Sequence, residues 1–216
     1  MSLADTIIVL DFETTGLSPD LGDRAIEIGA IRIERGQLVD QFQKLMNPGR
    51  PVSQFIEDYT GITNSMLQGA ESNTEVMRQF SDFVGDANMV AHNASFDKRF
   101  LDAEYARISR SYKGGFACSL LATRRVFQNA PNHKLATLVK HIEIESDGTF
   151  HRALYDSLMT AKVWNAMLAT IRDQFGIKNI PFSLIQQLNK MPKKSVHQFL
   201  TKASINIGEK TDAASK

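Results

Sequence analysis

The stretch Asp5 to Leu17, DTIIVLDFETTGL, combines two features that rarely share a strand. Ile7-Ile8-Val9-Leu10 is a β-branched apolar run, closed a little later by Gly16, and reads as a buried strand. Asp11 and Glu13 follow it directly. Side chains alternate across a strand, so residues two apart share a face. Two carboxylates side by side at the end of a buried strand lose hydration and repel each other, and only a cation offsets that cost. A divalent, oxygen-seeking ion such as Mg²⁺ or Mn²⁺ is the implied compensation. An Asp-x-Glu triplet is common by chance, so the argument needs further acids elsewhere in the chain.

At 216 residues the chain suits one domain with an appendage. Charge is nearly balanced, with 25 Lys and Arg against 24 Asp and Glu, so no overall field draws it to a polyanion. A nucleic-acid partner would be held by a local patch or by bound cations. Cys118 is the only cysteine, which excludes an internal disulfide and a thiolate zinc site and fits a reducing compartment. No apolar run approaches the ~18 residues of a membrane span, and the first residues lack a secretory-leader pattern. A cytoplasmic location with no membrane partner is the expectation.

Further along, Ala25 to Ile33 alternates at period two and reads as a half-buried strand; Val39 to Leu45 returns from a turn at Glu34 to Gln37. Residues 51 to 70 hold short helical pieces. Asn73 to Phe83 reads as an amphipathic helix, Met89 to Ala91 as a fourth strand and Phe116 to Cys118 as a fifth. Helices are expected from about Phe96 to Ile108, Ser119 to Val126, Lys134 to His141 and Leu154 to Arg172, with a turn at Asp147-Gly148 before the last. Strands that alternate with helices after an antiparallel meander give an α/β class with a mixed sheet. Phe182 to Asn189 suggests one more helix. Beyond Met191 the text is polar and basic and reads as a frayed, solvated tail, or else as a tether or phosphate contact through Lys190, Lys193, Lys194 and Lys202.

Asp97 and Asp156 each fall at the start of a helix. Singly, each is a common helix-start acid worth under about 1 kcal/mol. Together with Asp11 and Glu13 they change the odds, because strand ends and helix starts converge on one edge of an α/β sheet. Four acids gathered there require divalent cations. His151, five residues before Asp156, reaches over the same cleft, and an imidazole is the side chain best suited to proton transfer at neutral pH. His92 is read as a hydrogen-bonding residue near a strand end. His133, His141 and His197 are read as surface or capping residues.

Asp11-Phe12-Glu13-Thr14-Thr15-Gly16, His92-Asn93-Ala94-Ser95-Phe96-Asp97 and His151-x4-Asp156, in that order, resemble the three motifs of the DEDDh 3′–5′ exonucleases, in particular the proofreading (epsilon) subunit of bacterial DNA polymerase III. The resemblance covers about residues 5 to 172. It departs at Thr60, where epsilon-like members often carry histidine before Gly-Ile-Thr. It implies a ribonuclease H-like fold, a five-stranded mixed sheet flanked by helices. Residues 1–176 are expected to be the exonuclease domain, and the composition from Ile177 onward makes 177–216 a C-terminal helical, basic extension. It implies two Mg²⁺ or Mn²⁺ ions, with Asp11, Glu13 and Asp156 holding one, Asp11 bridging to a second, Asp97 holding that second ion through water, and His151 as general base. It further implies that Thr14, Gly16, Leu17 and Phe96 hold the terminal nucleotide. Lys98, Arg99 and Arg152 are candidates for strand contacts or, equally, a solvated helix face. The expected substrate is a single-stranded 3′ end, DNA ahead of RNA, with a DNA polymerase subunit as a candidate partner. The competing readings are an exoribonuclease of the same fold, like ribonuclease T or oligoribonuclease, and a non-catalytic nucleic-acid-binding module.

Overall fold

Five strands form one sheet in the order β3-β2-β1-β4-β5. The structure, a computed structural model, describes residues 2–147 and 150–213; Met1, residues 214–216 and the glycine of the expected Asp147-Gly148 turn lie outside the described residues. β1 (Ile7–Thr14), β2 (Ala25–Glu34) and β3 (Gln37–Leu45) make the antiparallel meander. Two short helices follow, α1 (Gln54–Thr60) and α2 (Asn64–Gln68), and then α3 (Asn73–Val84). β4 (Met89–Ala91) pairs parallel with β1, and α4 (Ser95–Arg107) leads to β5 (Phe116–Cys118), parallel to β4. The helices α5 (Ser119–Val126), α6 (Leu135–His141), α7 (Ala153–Phe175), α8 (Phe182–Leu188) and α9 (Val196–Ala213) complete the chain. The expected mixed sheet with flanking helices is thus present.

Period-two alternation divides the core into two layers. Ile7 and Val9 of β1 join Trp164, Met167 and Ile171 of α7 on one face. Ile8, Leu10 and Phe12 join Phe80 of α3 and Phe100 of α4 on the other. Ile7, Ile8, Val9 and Leu10 are each 1% exposed or less. Full burial of such a side chain is worth roughly 1.5–3 kcal/mol, which is how β1 tolerates acids at its end.

The end of the chain corrects the expectation of a frayed tail. Val196 and Leu200 of α9 are buried in the same layer as α7, together with Ile177, Ile180, Phe182, Ile185 and Leu188. The apolar residues are sparse in this stretch, but three- and four-residue spacing from Val196 puts Phe199 and Leu200 on the same side of α9, and a narrow stripe suffices when a long helix already offers an apolar groove. Among the described residues, no helix is long and apolar enough to cross a membrane.

Candidate metal centre and nucleic-acid cleft

Asp11 and Glu13 continue the face of β1 that Ile7 and Val9 bury beneath α7. The antiparallel register sets Asp11 opposite Gly29 and Glu13 opposite Glu27 on β2. Gly29 lets α7 begin close against the sheet: a Cβ there would stand 2.1 Å from the backbone nitrogen of Leu154. The Ser157 hydroxyl donates to the Gly29 carbonyl at 2.8 Å, which fixes the first turn of α7. Asp156 lies in that turn. One oxygen from each of Asp11, Glu13 and Asp156 comes within 4.8 Å of the others. Asp97, in the first turn of α4, is 2% exposed and accepts the Phe12 backbone N–H at 3.1 Å, so it closes the cluster from the strand end.

Such a cluster holds its protons. Burial first, then the charges of Asp97, Glu13 and Asp156, push Asp11 well above the usual carboxylate range. Burial, Asp156 and Glu27 push Glu13 up to about 8, against the pull of Arg152. Asp97 rises to about 7, chiefly through burial, while the Phe12 N–H works the other way. Asp156 rises to about 6, again through burial, opposed by the His151 N–H. The Oδ2 of Asp156 accepts that N–H at 3.1 Å, whereas its Oδ1 is buried with no hydrogen-bond partner among the described residues. A carboxylate oxygen without a hydrogen-bond partner, on one of three acids whose oxygens meet within 4.8 Å, fits a hard divalent cation, which takes oxygen ligands.

All nine site residues expected from the sequence line one cleft of about 640 Å³: Asp11, Glu13, Thr14, Gly16, Leu17, Phe96, Asp97, His151 and Asp156. His151 is exposed and sits at φ 74°, a left-handed backbone costing about 1–3 kcal/mol for a non-glycine residue. Its N–H bond to Asp156 and the packing of its ring on Tyr59, centroids 4.2 Å apart, hold it there. The Thr14 hydroxyl donates to the Gly16 carbonyl at 2.6 Å. Gly16 has no room for a side chain, since a Cβ would meet the Asp23 carboxylate at 2.5 Å. Asp23 also accepts from Ser18 N–H and Thr15 hydroxyl, at 3.0 Å each, so the loop after β1 is rigidly shaped. Leu17 stands 78% exposed on the rim. Phe96 lines the cleft and also packs on Phe100.

The basic residues behave differently. Lys98 pairs with Asp102 one helical turn on, at 2.6 Å. Arg99 reaches the Leu17 carbonyl at 3.4 Å, and Arg152 is bound by Glu27; none of the three lines the cleft. His92 bonds Ser119 Oγ and the His133 carbonyl, as expected for a strand-end histidine, and burial lowers it to about 4. Of the surface and capping readings of His133, the structure has the capping one: it is 9% exposed and bonds the carbonyl of Phe127, the residue that ends α5. Thr60 is buried and turned inward, donating to the Ile56 carbonyl and accepting from Ile62 N–H.

Glu27 and Gly29 were not singled out by sequence reasoning. Alternation in AIEIGAIRI puts Glu27 on a polar face, yet its side chain is fully buried. It accepts from Arg152 at 2.8 Å, from Gln43 at 2.9 Å and from the Ala153 backbone N–H at 3.0 Å, and so ties the start of α7 to β2. The available signal was Gly29, since glycine inside a strand often marks close approach of another backbone. Glu27→Ala should lower stability by roughly 3 kcal/mol, because it leaves the Ala153 N–H and Arg152 without their acceptor. Thermal melts at about pH 5.5, where Glu13 and Asp97 keep their protons, avoid the opposing relief of repulsion and should show a drop of roughly 5–10 °C. A melting temperature within about 1 °C of wild type would contradict this.

Comparison with known proteins gives a consistent result. A sequence-family model for exonucleases, RNase_T, matches residues 8–164. The chain is 40% identical over 166 residues to DNA polymerase III PolC-type from Bacillus subtilis (strain 168), an alignment that covers 76% of this chain and 11% of that protein. The chain therefore spans about a tenth of the length of such relatives. Exonuclease X in complex with 5′ overhanging duplex DNA superposes with a TM-score of 0.66 at 23% identity, covering 85% of this chain and 99% of that one. The nuclease domain of 3′hExo, described as a DEDDh family member bound to rAMP, superposes with a TM-score of 0.64 at 22% identity, covering 76% and 92%. These two likenesses establish the fold.

Proposed function

Because the chain belongs to the RNase_T exonuclease family and carries a 3′–5′ exonuclease domain of the DEDD type, we propose that it removes nucleotides stepwise from single-stranded or frayed DNA 3′ ends, releasing nucleoside 5′-monophosphates. The observation that carries this reading is the convergence of Asp11, Glu13 and Asp156 oxygens within 4.8 Å of one another. Asp11, Glu13 and Asp156 would hold one Mg²⁺ or Mn²⁺, and Asp11 with Asp97 would serve a second. When bound, two such ions make water a better nucleophile and relieve charge on the leaving oxygen. His151 accepts the proton of the attacking water on a ring nitrogen, its strained backbone and Tyr59 contact keeping the imidazole over the cleft. The backbone from Thr14 to Leu17, pinned by Asp23, and the ring of Phe96 position the last nucleotide.

DNA is the favoured substrate, since the chain is 40% identical over 166 residues to a PolC-type DNA polymerase III. For the same reason a polymerase subunit is the proposed partner, in the cytoplasm. In this reading residues 1–176 are the exonuclease domain and 177–216 a C-terminal extension, of which Ile177, Ile180, Val196 and Leu200 pack in the same layer as α7.

Incubation with Mn²⁺ and 5′-labelled DNA, RNA and duplex substrates tests this. Shortening from the 3′ end is expected, with single-stranded DNA degraded at least roughly tenfold faster than RNA. Intact substrate, or RNA consumed faster, would refute it. His151→Ala should slow turnover by about 10²–10⁴-fold, the usual range for a lost general base, with Mn²⁺ affinity little changed. A rate within a fewfold of wild type would remove His151 from that role.

A further inference from the structure

Large aromatic side chains are seldom left in water without a reason. Phe55 is 71% exposed and Tyr59 52% exposed, and both line the cleft that holds the acids. They stand one turn apart on α1, their rings stacked at 5.9 Å with 10° between planes. Tyr59 in turn packs on His151 at 4.2 Å. An aromatic row thus runs from His151 outward along one wall.

The helix carrying that row is held firmly. The Ser53 hydroxyl caps its start by accepting from Ile56 N–H. Gly61, at φ 71°, ends it in the left-handed conformation, and Glu57 accepts two hydrogen bonds from Asn64. Ile56 packs inward against Ile26, Val52, Ile62 and Leu67. The folding contacts of α1 are therefore made by its other side, and none of these contacts needs Phe55.

We propose that Phe55 and Tyr59 form a stacking platform for the bases upstream of the nucleotide being removed, so that a single strand is gripped by its bases on this wall. The proposal rests on the exonuclease reading above. It fits the cleft's charge: the basic residues Lys98, Arg99 and Arg152 do not line it, so phosphate contacts there are few and base contacts must do more. Stacking on an aromatic accepts any base, which suits an enzyme that removes nucleotides regardless of sequence.

The test uses Phe55, which lies one turn beyond the ring touching His151. Two substrates are compared in Mn²⁺: a single-stranded thymidine oligonucleotide, and the p-nitrophenyl ester of thymidine 5′-monophosphate, which has no upstream base. Phe55→Ala should lower the ratio of kcat/KM on strand to that on ester by roughly tenfold, mainly through KM, as loss of one stacked base predicts. Phe55→Trp should restore the ratio. An oligonucleotide abasic at the second and third positions from its 3′ end should lose a similar factor with wild type and little more with Phe55→Ala. A strand-to-ester ratio within twofold of wild type, or an undiminished abasic penalty in the variant, would overturn the platform. Wild-type protein inactive on both substrates would instead overturn the exonuclease reading.

Discussion

Asp11→Asn should abolish cleavage and, in the same molecule, stabilise the metal-free protein. Asp11 is the acid placed between the others: its carboxyl is pushed up by burial and then by Asp97, Glu13 and Asp156. The amide keeps the shape, removes one charge from the cluster and provides a poorer ligand for a hard cation. Activity with Mg²⁺ should fall by at least about 10³-fold, beyond the loss of a single proton-transfer group. Stability without metal, at pH 8, should rise by about 1–3 kcal/mol, seen as several degrees in a melt. Functional residues often trade stability for activity in this way. A variant that cleaves at near wild-type rate would show that Asp11 has no part in the chemistry. A variant that melts below wild type at pH 8 would show that the acids are not mutually repelling.

The second large effect is on stability against pH. Glu13 is raised from 4.5 to about 8, Asp97 from 3.8 to about 7 and Asp156 from 3.8 to about 6. A carboxyl raised in the folded state contributes most below its unfolded value, and the contribution is lost as pH climbs through the folded value. Below about pH 4 both states are protonated and the cluster costs little. Between pH 4 and 8 the unfolded chain releases these protons readily while the folded chain must either keep them or repel itself. Metal-free protein should therefore lose a few kcal/mol over that window, roughly 10 °C in melting temperature. Glu13→Gln should flatten the loss. A melting temperature that is constant or rising from pH 5 to 8 in the presence of chelator would contradict this.

Much of this site was legible from the sequence because its logic is local. An acid two residues from another on a β-branched run, and acids in the first turns of two later helices, declare a shared edge once the chain alternates strand and helix. Asp11, Glu13, Asp97 and Asp156 are read that way, and His151 by its distance from Asp156. What escaped depends on contacts between distant segments. Glu27 looks like the polar half of an alternating strand, and only the arrival of Arg152 and Ala153 more than a hundred residues later makes it a buried acceptor. Arg152 looks like a free cation for the same reason. The helix α9 looks like a solvated tail because so few of its residues are apolar, and its burial depends on the groove beside α7. Phe55 and Tyr59 sit in a stretch whose composition says only that it is helical, and their exposure follows from Ile56 and Thr60 facing inward.

Titrating Mn²⁺ into chelator-stripped protein at pH 8 while following the melting temperature is the most direct test of whether these four acids exist to hold cations. Saturation at 100 times the dissociation constant should add about 2.7 kcal/mol to wild type, a rise of several degrees, because the ion binds the folded cluster and not the unfolded chain. Asp11→Asn and Glu13→Gln should show little or no rise over the same range. A wild-type melt that ignores Mn²⁺, or variants that respond as wild type does, would mean that the acids meet for some other reason.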